Sequence, residues 1–159
     1  MPRWALLLEY DGAPFAGWQR QANGLSVQQV LEEAAARLNH GADVSSVVAG
    51  RTDAGVHAAG QVAEIALGRE ISAVRLREAL NYHLKPHPVV ILRTVPAPDG
   101  WNARFSAIRR RYRYLILNRR ARPALLAGRA WHVSRTLDAA AMQDAAHLLL
   151  GRHDFTSFR

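Results

Sequence analysis

The chain has 159 residues, of which 49% are hydrophobic, and this content is enough for a folded core. It contains no cysteine, which excludes a disulfide framework and a thiolate metal site and agrees with the cytoplasmic location that we expect. The longest apolar run near the N-terminus, Trp4–Leu8, is too short for a signal-peptide core or a membrane span.

The net charge of +8 is concentrated in the last third of the chain. Residues 1–100 hold nine Lys and Arg against ten Asp and Glu, whereas residues 101–159 hold twelve Arg against three Asp. Eight arginines and no acid lie between Arg104 and Arg122, interleaved with aromatic and aliphatic residues. Arginine suits phosphate contacts because its guanidinium donates several hydrogen bonds in one plane. This mixture predicts a folded basic surface that binds nucleic acid, with an acidic protein as the minor alternative.

The first hundred residues alternate between strand-like and helix-like patterns. Ser26 precedes apolar residues at helical spacing and Gln29 stands three positions later, which together predict an N-cap with a capping box. The predicted elements, in order, are strand Arg3–Tyr10, a helix from Ser26, strands Val44–Ala49 and Gln61–Leu67, a helix from Ser72 to about Leu80, and strand Val89–Val95. This β-α-β-β-α-β order predicts a ferredoxin-like α+β fold, with helices on one face of a mostly antiparallel sheet.

A second unit is predicted after the proline-containing segment 96–100. Tyr112–Asn118 alternates aromatic and basic residues like a strand, Ala130–Ser134 has the composition of another, and Asp138 precedes a helix that reaches Leu150. One or two short strands are too few for a stable sheet, so we expect this second α+β unit to be incomplete. The predicted domains are residues 1–98 and residues 99–159.

The turn Gly50–His57 separates two of the predicted strands and places Asp53 between glycines. Glycine tolerates positive φ and close backbone approach, so such a turn can present a carboxylate to a ligand at the end of a sheet. The alternative interpretation is an Asx-turn or a helix N-cap, in which Asp53 serves only the local backbone.

This turn, followed by Gly60-Gln61-Val62, resembles the signature of the tRNA pseudouridine synthase A family. Five further segments resemble that family in its own order: Glu9–Gly12, Gly17–Gln21, Ala103–Ala107, Arg111–Tyr114 and His153–Arg159. The resemblance covers the whole chain and implies the pseudouridine synthase fold. It departs at Trp101 and Asn102, where the family more often has phenylalanine and histidine.

The resemblance implies an isomerase that converts uridine to pseudouridine in the anticodon stem-loop of tRNA, at positions 38 to 40. Asp53 matches the family's catalytic aspartate, Arg51 the arginine that displaces the target base, and Tyr112 the tyrosine that stacks on the uracil. The base must leave its stack, and no cofactor is required. An ionised carboxylate in a dry pocket is costly without a partner, so we expect Arg51 to pair with Asp53.

Four further residues are candidate RNA contacts: Gln19, Arg20, Arg104 and Arg113. By the same resemblance the partners are tRNA and a second copy of the chain in a homodimer. The seven histidines form no HExxH motif, so no metal site is predicted.

Two other interpretations remain open at this point. The chain could be an RNA-binding α+β module without catalysis, because ferredoxin-like sheets often bind RNA. It could also be a truncated synthase that binds tRNA and is inactive.

Overall fold

A computed structural model describes residues 1–158 of the chain. Its contacts divide into two compact units, residues 1–111 and the residues from 112 onward. Each unit is an α+β structure, and the two are described in turn. Among residues 1–158, none of the helices combines the length and the apolar character needed to cross a membrane.

The first unit has the predicted β-α-β-β-α-β order. Its elements are β1 (Arg3–Tyr10), α1 (Val27–Leu38), β2 (Ser46–Val48), β3 (Ala58–Ala66), α2 (Ala73–His83) and β4 (Val89–Pro96). The strands form one sheet in the order β2-β3-β1-β4, and every neighbouring pair is antiparallel. The predicted α+β fold class is therefore confirmed, with the strand order that a ferredoxin-like connection produces.

Strand β1 shows which face of the sheet carries the core. Trp4, Leu6, Leu8 and Tyr10 are buried, whereas the residues between them are half-buried or exposed. This alternation follows from the two-residue period of a strand, which points successive side chains to opposite faces. Helix α1 buries seven residues, mostly apolar, and its leucines and alanines join the same hydrophobic cluster as β1.

Side-chain caps begin both helices of this unit where the sequence predicts them. Ser26 Oγ accepts a hydrogen bond from the Gln29 backbone N–H at 3.1 Å, and Ser72 Oγ accepts one from the Arg75 N–H at 3.4 Å. The reciprocal half of the predicted capping box is replaced, because the Gln29 amide donates to Glu33 one turn later. A Ser cap typically stabilises a helix by about 1 kcal/mol relative to Ala.

A buried carboxylate on β3 fixes the segment that follows the sheet. Glu64 accepts hydrogen bonds from Arg3 on β1 and, at 3.1 Å, from the backbone N–H of Ala103. Arg3 also donates to the carbonyl of Trp101. Because both Glu64 and Ala103 are buried, residues 101–103 are held firmly against β1 and β3.

The second unit contains a short parallel pair, β5 (Ile116–Asn118) and β6 (Trp131–Val133), followed by helix α3 (Ala139–His147). The prediction of a strand from Tyr112 was wrong for its first half, since residues 112–115 are irregular. A strand needs a partner along its length, and β6 offers only three residues. Asp138 caps α3 as predicted, and none of the residues in α3 is buried.

The segment resembling the family's last motif lies at the end of the second unit. The Thr156 hydroxyl and backbone N–H both donate to Asp154, and these hydrogen bonds lower the pKa of the Asp154 carboxyl. Thr156 is the first residue of a single turn of 3-10 helix, Thr156–Phe158. Arg159, the last residue of the predicted motif, lies outside the described residues.

Replacing Leu8 by alanine tests the proposed core. Leu8 is fully buried on β1, so Leu8→Ala is expected to lower the free energy of unfolding by about 2–5 kcal/mol. Leu92 on the adjacent β4 is 37% exposed, and Leu92→Ala should cost less than about 1 kcal/mol. Urea unfolding followed by tryptophan fluorescence measures both. Equal losses in the two variants would contradict this assignment of the core face.

Candidate functional site

The loop that carries Asp53 packs against a second loop. The first, residues 49–57, joins β2 to β3, and the second, residues 11–18, follows β1. The Trp18 backbone N–H donates to the Thr52 carbonyl at 2.9 Å, and the Gly55 N–H donates to the Phe15 carbonyl at 3.3 Å. These backbone contacts hold the Asp53 loop on both sides of its tip.

Two glycines allow the loops to approach this closely. A Cβ atom on Gly12 would lie 2.0 Å from the Val56 carbonyl oxygen, a distance that no side chain can occupy. A Cβ atom on Gly17 would lie 2.7 Å from the Thr52 carbonyl oxygen, and Gly17 also has φ of +105°. Both positions therefore require glycine for the loop to keep its place.

The sheet supports the same loop from beneath. The hydroxyl of Tyr10, a buried residue at the end of β1, lies 2.7 Å from Thr52 Oγ1. The Gln61 side chain on β3 donates to the Gly50 carbonyl at 2.7 Å and reaches the Tyr10 hydroxyl at 3.5 Å. The buried ring of Trp18 packs 6.1 Å from that of Tyr10. Hydrogen bonds from two strands thus position the residues on either side of Arg51.

His57 joins the end of the loop to the start of its neighbour. Its Nδ1 lies 3.0 Å from the Gly12 backbone nitrogen and 3.0 Å from Asp11 Oδ1. One ring nitrogen cannot serve both at once, because it accepts from Gly12 without a proton and donates to Asp11 with one. Each arrangement bonds His57 to one of these two adjacent residues, so in both cases the ring is joined to the start of the second loop.

Asp53 and Arg51 are both exposed on this loop. Among residues 1–158, the Asp53 carboxylate makes no hydrogen bond or ion pair. The expected ion pair between Asp53 and Arg51 is therefore not formed within these residues. The turn bond instead involves the backbone, where the Val56 N–H donates to the Asp53 carbonyl at 3.2 Å. The loop backbone is fixed while the carboxylate faces outward, which an Asx-turn or a cap would not produce.

A groove of about 500 Å³ lies beside the loop, along the edge strand β2. It brings together three of the predicted site residues, Gln19, Arg51 and Arg104. Its remaining lining consists of Trp18, Gln28, Arg110 and residues 46–50. Among these lining residues three carry a guanidinium and none carries a carboxylate, so the groove favours an anionic ligand.

Arg110 is the arginine of the groove that was not predicted. Its Nε donates to the Ala49 carbonyl at 2.7 Å, and its Nη2 donates to the Arg104 carbonyl at 3.0 Å. The sequence offers only a weak signal for it, because Arg110 stands within a run of three arginines that the pattern does not distinguish.

The other predicted site residues lie elsewhere. Arg20 points to the acidic side of α1, where its guanidinium lies 3.4 Å from Glu32 and 3.9 Å from Glu33. Tyr112 and Arg113 are exposed in the second unit, so their placement near Asp53 stays a prediction.

Comparison with known proteins adds a family to this geometry. Residues 7–106 match a family described as tRNA pseudouridine synthase. The chain is 66% identical to a tRNA pseudouridine synthase A of Acidiphilium cryptum, an alignment that covers all of this chain and 63% of that relative. Identity is 58% with the protein of the same name from Rhodospirillum centenum, over 100% of this chain and 64% of the relative. The chain therefore spans less than two-thirds of the length of these relatives.

Gly12→Ala tests the close approach of the two loops. The added methyl would overlap the Val56 carbonyl, so we expect a loss of about 1–3 kcal/mol in the free energy of unfolding. Hydrogen exchange at Gly55 and Val56 should also become faster as the loop shifts. Gly60→Ala is the matched control, because its added Cβ would meet only a Leu7 methyl group at 3.7 Å. Equal effects of the two substitutions would refute the constraint.

Proposed function

The chain belongs to the tRNA pseudouridine synthase family, and we propose that it isomerises uridine to pseudouridine in the anticodon stem-loop of tRNA, at positions 38 to 40. The observation that carries this proposal is the outward-facing Asp53 carboxylate on a fixed loop beside a groove with three arginines. The identity of 66% with a relative named tRNA pseudouridine synthase A supports it. By resemblance the working form is a cytoplasmic homodimer on one tRNA.

The proposed chemistry balances without a cofactor. The N-glycosidic bond between uracil N1 and ribose C1′ breaks, the uracil turns, and a bond forms between C5 and C1′. The proton on C5 leaves and N1 gains one, so nothing is oxidised or added. Asp53 supplies a carboxylate beside C1′ and C6. It can attack the ribose, add to the ring, or remove a ribose proton to give a glycal, and all three routes need the carboxylate at the same place.

The groove suits an RNA strand with one nucleotide displaced. An enzyme that acts on a base within a helix must first extrude it, at a cost of a few kcal/mol. Arg51 follows Gly50 directly and lines the groove, so it can fill the space that the target base leaves while Asp53 meets the extruded nucleotide. Arg104 and Gln19 supply a cation and an amide for the neighbouring backbone. Arg20 and Arg113 are weaker candidates for the same role.

A second candidate function is RNA binding without turnover by this chain alone. It is favoured by helix α3, in which no residue is buried, and by the greater length of the named relatives. In this case tRNA would still bind the groove of the first unit, and pseudouridine would not form. Binding and turnover measured together distinguish the two candidates.

Asp53→Asn is expected to abolish turnover and to preserve binding. The amide has nearly the shape of the carboxylate but cannot act as a nucleophile or base, so the rate should fall at least about 1,000-fold. The measurement is tritium release from unmodified tRNA labelled at uridine C5, beside the tRNA dissociation constant. Asp43→Asn removes the same charge from another exposed loop and should leave the rate unchanged. Undiminished release by Asp53→Asn would disprove the role of Asp53.

Tyr112 is proposed to stack on the target uracil. Stacking of a base on an aromatic ring contributes about 1–3 kcal/mol. Tyr112→Leu should therefore weaken tRNA binding, or slow pseudouridine formation on bound tRNA, by about 5- to 150-fold. Tyr112→Phe should retain that contribution. Tyr114→Leu, two residues away and 90% exposed, serves as the control and should change binding by less than about twofold. The dissociation constants and single-turnover rates of the three variants decide; identical losses for Tyr112→Leu and Tyr114→Leu would argue against a specific role.

A further inference from the structure

Arg110 connects two segments that are distant in sequence and meet at the groove. One of its acceptors is the carbonyl of Ala49, the residue that follows β2 and precedes the Gly50–Val56 turn. The other is the carbonyl of Arg104, which also lines the groove. A guanidinium can hold two carbonyls in a fixed relation because its N–H groups lie in one plane. Of its five N–H donors, about three remain to meet a ligand.

The segment that contains Arg104 is held at its other end by different contacts. Glu64 accepts from the Ala103 N–H at 3.1 Å, and the Asn102 side chain accepts from the Arg104 N–H at 3.0 Å. Arg110 therefore completes the attachment of a stretch that begins at Ala103. Its bond to the Ala49 carbonyl links this stretch to the residue that follows β2.

The same contact reaches the start of the Asp53 loop. Ala49 donates its own N–H to the Val62 carbonyl at 2.9 Å, so its peptide units are bonded to β3 on one side and to Arg110 on the other. Arg51 follows two residues later and also lines the groove. Arg110 thus joins the backbone of Arg104 to the backbone two residues before Arg51.

We propose that Arg110 is a positioning residue, which holds Arg51 and Arg104 on either side of a phosphate of the bound RNA strand. Binding of RNA in the groove is thereby coupled to the position of the Asp53 loop. This inference rests on the proposed function for its ligand class, an RNA phosphodiester. Arg110 positions its neighbours, because two of its guanidinium hydrogen bonds are made to protein carbonyls, while its charge and its remaining N–H donors are available to the phosphate.

Arg110→Lys separates position from charge, because lysine keeps the cation and loses the planar fork. We expect the single-turnover rate of pseudouridine formation at saturating tRNA to fall about tenfold or more. The tRNA dissociation constant should change less than about threefold, with the same salt dependence, since the phosphate still meets a cation. Arg110→Gln should in addition weaken binding and reduce the slope of log K against log salt by about 0.7–0.9.

Arg109→Lys is the matched control. Arg109 is the exposed neighbour of Arg110, does not line the groove, and makes no hydrogen bond or ion pair within the described part of the chain, residues 1–158. Its substitution should leave rate, affinity and salt dependence within about twofold of the parent chain. A wild-type rate for Arg110→Lys would reduce Arg110 to an ordinary cation and overturn the proposal.

Hydrogen exchange of the free protein gives a measurement that does not depend on turnover. The Ala49, Gly55 and Val56 amides are hydrogen-bonded donors in or beside the loop, and their exchange should become at least about threefold faster in Arg110→Lys and stay unchanged in Arg109→Lys. If the parent chain forms no pseudouridine, the proposed function fails for this chain, and exchange still decides the role of Arg110. Unchanged exchange in Arg110→Lys would then refute it.

Discussion

The direct backbone contact between the loop after β1 and the loop after β2 is the constraint on which the rest of the site depends. Gly12 and Gly17 have no side chain to separate the two loops, and the Val56 and Thr52 carbonyls fill the space. The Asp53 backbone is consequently fixed from the side, while Tyr10 and Gln61 fix it from the sheet. Because this backbone is already fixed, binding of a ligand at the carboxylate needs little further loss of loop entropy.

Buried carboxylates determine which arginines are left to meet a ligand. Glu64 pairs with the Arg3 guanidinium, and Glu32 pairs with that of Arg20. Glu32 also accepts from the backbone and hydroxyl of Ser46, so it joins α1 to the edge strand β2. The groove is basic because three arginines and no carboxylate line it, and the arginine-rich sequence supplies two of them, Arg104 and Arg110.

The structural features that depend on short-range sequence patterns could be predicted from the sequence. Strand alternation, the Ser26 and Ser72 caps and the glycine-bracketed turn at Asp53 are local features, and each was found. Contacts between distant segments could not be predicted, because nothing in the run of three arginines indicates that Arg110 bonds to Ala49. The prediction of a strand from Tyr112 was wrong for the same reason. Alternation of residue types is a property of one strand, whereas the length of that strand depends on its partner, and here the partner pairs over only three residues.

The central claim is that the fixed loop presents the Asp53 side chain to an extruded uridine. A crystal structure of the Asp53→Asn chain bound to an anticodon stem-loop RNA tests it most directly through one distance. We expect the substituted side chain to lie about 3–3.5 Å from C1′ or C6 of the target uridine, the range of a near-attack geometry. A uridine still stacked in the RNA, with the residue 53 side chain more than about 6 Å from both atoms, would contradict it.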